Sequence, residues 1–165
     1  MKRSEAHLDE DLAQVVETVY ETMDLAQEFK RLNDNLEIGE DRGDYSAVNR
    51  HLDRAESNAR KAHRAFLQAT LRKKSFDLAN EAILAPLRSE ANRHLQVEKA
   101  QGDRSKAITD ADVRAKMIEL FHDEIKDQEE KRMKVDGALE HLQVIVDLWK
   151  SRCRSLQSML TQIRK

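Results

Sequence analysis

Chain breakers are scarce in this sequence. One proline (Pro86) and four glycines (Gly39, Gly43, Gly102, Gly137) punctuate 165 residues, too few for the turns of a β-sandwich or of serial βαβ units. Those glycines spell neither G-x-G-x-x-G nor G-x-x-x-x-G-K, which excludes folds that cradle phosphates on glycine-rich loops. Aromatic residues make up only 4% of the chain, too little for a large mixed core. The single cysteine, Cys153, leaves no internal disulfide to form and points to a reducing cytoplasm. The longest stretch without Asp, Glu, Lys or Arg is nine residues, Ser155 to Ile163, so no segment is expected to span a membrane. Ser4-Glu5-Ala6-His7-Leu8-Asp9-Glu10-Asp11 is too polar for the apolar region of a secretory leader.

What the sequence has instead is charge and a helical period. Charged residues are 36% of the chain, with a formal net charge of −2. That balance conceals a strong asymmetry. Residues 1–45 hold 5 basic against 13 acidic side chains, residues 46–75 hold 8 against 2, and residues 148–165 hold 5 against none. An acidic first third beside two basic blocks marks surfaces built for interaction.

Apolar residues recur at steps of three and four throughout, so the chain reads as all-α, built of long amphipathic helices in a helical hairpin or coiled-coil bundle. The first helix follows Leu8, Leu12, Val15, Val19, Met23 or Ala26, Phe29, Leu32 and Leu36, and is expected to end at the Gly39–Gly43 segment. A second begins near Ser46, with the seam Val48, Leu52, Ala55, Ala59, Ala62, Phe66, Ala69, Lys73, Phe76, Asn80 and Ile83. Its alanines let a partner helix approach closely. Pro86 either opens a short third helix or kinks the second. After a break at Gly102-Asp103-Arg104-Ser105, Thr109 and Asp112 form a capping-box pattern, with Ile108 and Val113 as its staple.

From about residue 110 to 164 one continuous helix is expected, with the seam Ile118, Phe121, Ile125, Gln128, Arg132, Val135, Leu139, Leu142, Val146, Trp149, Cys153, Leu156, Leu160 and Ile163. Such a helix is roughly 80 Å long, against a radius of gyration near ~15 Å for a compact chain of this size. Either the helix bends back or its seam is covered by other chains, and the sustained heptad favours the second, a homo-oligomer held by Val146, Trp149, Cys153, Leu156, Leu160 and Ile163. Gln128 and Arg132 are its polar register positions, or the point where the seam opens. The division expected is an acidic helical arm over 1–44 and a basic helix plus oligomerisation helix over 45–165.

Chemistry is harder to find. Glu119 and His122 make one E-x-x-H, but a di-iron site needs a second on another helix, and no other histidine has Glu three residues before it. There is no H-E-x-x-H and no C-x-x-C. Neither an enzyme nor a cofactor is expected. The basic stripe is more informative. Arg50, Arg54, Lys61 and Arg64 lie opposite the apolar seam, and Arg60, Lys73 and Lys74 thicken the block. Such a face suits a phosphate backbone; it equally suits pairing with the acidic first helix of the same chain. Lys150, Arg152 and Arg154 flank Trp149 as a second patch, where positive charge also offsets the helix dipole.

From Tyr45 onward the chain resembles the UvsY-like phage recombination mediators. The resemblance is carried by Tyr45 opening a basic helix through Ala59-Arg60-Lys61-Ala62-His63-Arg64-Ala65-Phe66, then Ile108-Thr109-Asp110-Ala111-Asp112-Val113. It continues in Ala138-Leu139-Glu140-His141-Leu142, Trp149-Lys150-Ser151-Arg152 and Leu156-Gln157-Ser158-Met159-Leu160. It covers about three-quarters of the chain and implies an all-helical ring-like homo-oligomer. It also implies binding to single-stranded DNA and help for a RecA-type recombinase in replacing the single-strand-binding protein. Lys61-Ala62-His63-Arg64-Ala65-Phe66 is similar to the family's basic-then-aromatic contact stretch. The alternative is a structural or adaptor coiled coil, such as a virion, scaffold or chaperone component, without nucleic-acid binding.

Overall fold

In a computed structural model, residues 2–37, 43–102 and 107–164 are described, with the side chains of 2–5 and 33–37 left aside. Among the described residues the chain is all-α, with four helices and no strand: α1 (Lys2–Glu37), α2 (Tyr45–Ala100), α3 (Asp110–Leu120) and α4 (His122–Ile163). The expected stop of α1 at Gly39, Asp41 and Arg42 lies outside the described residues.

Local chemistry accounts for most boundaries. Asp44 caps α2: its Oδ1 accepts from the Ser46 N–H at 2.8 Å, and its carbonyl accepts the first helical bond from Val48 at 3.0 Å. At the far end Gly102 adopts φ +84°, and its N–H returns to the Lys99 carbonyl at 3.2 Å. This is half of a Schellman closure, and the left-handed conformation there favours glycine. The capping box at α3 forms as its residues predict, with Thr109 Oγ1 accepting from the Asp112 N–H and Asp112 Oδ2 accepting from the Thr109 N–H.

Of the two readings of Pro86, the separate third helix does not form: Pro86 sits exposed inside α2. A proline there deletes one N–H, which would have bonded the Ala82 carbonyl, and an exposed carbonyl is hydrated instead. The single helix expected over 110–164 is broken at Phe121, whose φ of −133° and ψ of 42° leave the helical region. Met117 is the buried residue of α3 and Ile118 is exposed, whereas the seam pattern places Ile118 inside. The break thus turns α3 about one residue relative to the register of α4, a change that an unbroken helix cannot make.

The described chain forms two compact units. The first comprises residues 1–13 and 73–135, and buries Leu8 of α1, Phe76, Ile83, Ala91 and Leu95 of α2, Met117 of α3 and Val135 of α4. Two lysines tie it together. Lys131 bridges Asp9 at 2.8 Å and Asp127 at 3.0 Å, and Lys116 bridges Glu98 at 2.7 Å and Glu119 at 2.9 Å. The second unit comprises residues 14–72 and 136–165. Its core joins Leu25 and Leu32 of α1, Val48, Ala55 and Ala62 of α2, and Ile145, Val146, Trp149, Leu156 and Leu160 of α4. Both units draw on α1, so compactness does not follow the expected division at residue 44.

The residues expected at an oligomer seam take part in this core. Val146, Trp149, Leu156 and Leu160 are buried, and Cys153 and Ile163 pack partly buried against them, all within one chain. The seam is closed by the chain's own α1 and α2. The alanines of α2 are the small residues opposite this aromatic and aliphatic face. Phe29 of α1 meets the Trp149 ring edge-on, with centroids 5.4 Å apart at 88°.

Candidate nucleic-acid interface

The basic residues of the second unit divide into those free to meet a polyanion and those already engaged. Arg50, Arg60, Lys61 and Arg64 of α2 are exposed, as are Lys150 and Arg154 of α4. Arg54 is exposed but donates through Nε to Glu28 of α1. That ion pair is the internal acid–base match anticipated between the first helix and the stripe. Lys73 and Lys74 belong to the first unit, and Lys73 pairs with Asp77 at 3.5 Å.

Arg152 departs from its expected role. It is 9% exposed, and its guanidinium donates to the Leu32 carbonyl at 2.9 Å. It therefore ties α4 to α1 and is withdrawn from any surface patch. Geometry explains the error. Residues two apart on a helix point about 200° from each other, so Arg152 and Arg154 cannot share a face. Arg154 faces out, and Arg152 faces in.

Packing brings the two sequence-distant basic blocks together. Arg60 of α2 and Lys150 and Arg154 of α4 line one open groove of about 290 Å³, with Glu56, Ala59 and Cys153 completing it. Glu56 is the only acid among these lining residues. Cys153 is half-buried, and burial foremost, then the nearby Glu56 carboxylate, push its thiol above the ordinary value despite the opposing charge of Arg60. A raised thiol pKa disfavours the thiolate form. An aromatic–cation contact closes the same unit: Arg164 stacks 5.1 Å from the Tyr45 ring and donates to its hydroxyl. Sequence reading missed this pair, since nothing along the chain signals a contact between residues 119 positions apart.

No family model matches the chain, and neither does any curated protein or solved structure. The chemistry available in the groove is attraction of phosphate by three cations from two helices. Ordered base readout has little support there, because no aromatic side chain lines it. In the first unit, Glu119 is held by Lys116 at 2.9 Å and His122 Nδ1 faces Asp123 at 3.2 Å. Among the described residues no group of three or more His, Cys, Asp or Glu side chains gathers to hold a metal, and no helix is long and apolar enough to cross a membrane.

Proposed function

We propose that this chain binds single-stranded DNA through the basic face of α2 and the α2–α4 groove, acting as a recombination mediator that helps a RecA-type recombinase replace the single-strand-binding protein. The observation that supports DNA binding is the convergence of Arg60, Lys150 and Arg154 on one groove, beside exposed Lys61 and Arg64. The mediator role rests on the resemblance from Tyr45 onward. Binding of this kind is electrostatic and tolerant of sequence, and its strength falls as salt displaces the chain from phosphates.

The test is anisotropy of a labelled single-stranded oligonucleotide at several salt concentrations, with a duplex control. Each phosphate neutralised contributes about −0.7 to the slope of log K against log salt. Arg60→Glu with Arg154→Glu, and separately Lys61→Glu with Arg64→Glu, should each abolish binding while leaving helicity unchanged. Retained binding in both double variants overturns the site.

A structural or adaptor role remains the competing reading, and the Arg54–Glu28 pair and the Arg152–Leu32 bond favour it. Both show basic side chains used to hold α1 in place. Absence of DNA binding by the parent chain even at low salt would establish that reading instead.

A further inference from the structure

We propose that the large cavity of the first unit binds an alkyl polyamine or a similar organic cation rich in N–H donors. The cavity has a volume of about 630 Å³, inside the range of ~300–1,000 Å³ typical of small-molecule sites. Two side chains set its chemistry. Asn80 of α2 and Gln128 of α4 both line it, and each is more than nine-tenths buried. Asn80 Oδ1 and Gln128 Oε1 have no hydrogen-bond partner. Buried acceptors are normally satisfied, and leaving one without a donor is costly. The terminal torsion of a carboxamide is broad, so a modest rotation presents each oxygen to a ligand in the cavity.

An unpartnered acceptor of this kind calls for an N–H or O–H donor. Of the four carboxylates that line the cavity, Glu81 pairs with Arg88 at 2.8 Å, Glu129 with Arg114 at 3.9 Å and Asp77 with Lys73 at 3.5 Å, and Asp110 lies outside these pairs. Asp110, exposed at the start of α3, is placed to receive an ammonium group. Leu84, Val113, Met117 and Ile125 supply apolar wall for methylene segments. A chain alternating methylenes with ammonium groups matches that pattern of oxygen, carboxylate and hydrocarbon. The site is independent of the nucleic-acid reading, because all its residues lie in the first unit and the basic groove lies in the second.

Titration calorimetry of the full chain with spermidine, at physiological ionic strength to screen unspecific attraction, tests the proposal. Saturable one-to-one binding is expected. Fully quaternised (permethylated) spermidine, which keeps the charges and methylenes but has no N–H, should bind at least about tenfold more weakly. Asn80→Leu with Gln128→Leu should keep the thermal midpoint at or above the parent's and lose spermidine to a similar degree. No saturable binding to the parent, equal binding of the quaternary cation, or undiminished binding by the folded double variant would each overturn the site. If the double variant does not fold, the two cations compared on the parent chain decide the question alone.

Discussion

Trp149 concentrates the energetics of the second unit in one side chain. It is fully buried, packs edge-on to Phe29, and its Nε1–H has no acceptor. Trp149→Ala removes that packing and should cost about 3–5 kcal/mol in denaturant unfolding. Trp149→Phe also removes the orphan donor and should cost measurably less. In the first unit the ion-paired lysines make a different prediction. Burial works against the charge on Lys131, but its bonds to Asp9 and Asp127 outweigh that and raise its pKa. The Lys116 pKa is raised first by Glu98, then by Glu119. A lysine with a raised folded-state pKa stabilises fully below its unfolded value near ~10.4 and loses that contribution as pH climbs through the folded value. Thermal midpoints should therefore fall in the alkaline range above that point, and Lys131→Met should flatten the fall. An unchanged slope in the variant would show that Lys131 plays no part.

The helices carry two built-in defects at the level of the element, both identified by residue type alone. Gly137 lies inside α4 with open space where a Cβ would stand. Gly137→Ala should raise stability by about 0.8–1.0 kcal/mol, the difference in helix propensity. Pro86 lies exposed inside α2, and Pro86→Ala should stabilise by up to about 3 kcal/mol by restoring the missing N–H. Denaturant midpoints of the two variants check both values, and their effects should add, since they sit in different helices and different units. The seam of α2 was legible almost residue for residue: Val48, Ala55, Ala62, Ala69, Phe76, Asn80 and Ile83 are all buried. On α1 the ambiguity between Met23 and Ala26 falls to Ala26, and Asp11, Thr22 and Leu25 are buried without having been foreseen. Thr22 is tolerated inside because its hydroxyl donates to the Val19 carbonyl at 2.8 Å. An apolar pattern cannot announce a polar residue that satisfies itself locally.

For the molecule as a whole, the deciding question is what covers the α4 seam. With α1 and α2 over it, the fluorescence of the single tryptophan should be blue-shifted and independent of protein concentration. A seam shared between chains would instead shift the emission on dilution. The sequence by itself determined an all-α chain, the cap at Thr109, the break at Gly102, the faces of α2 and α4, and an uneven charge distribution. Those follow from period, propensity and composition, which act over a few neighbouring residues. Only the tertiary structure decided that the seam closes on the same chain and that Arg152 turns inward to Leu32. It alone decided that Arg60 meets Lys150 and Arg154 in one groove, and that Asn80 and Gln128 share a cavity. Heptad patterning specifies that a helix face must be buried but says nothing of whose helix buries it, and pairings across such distances in sequence depend on which helices pack together.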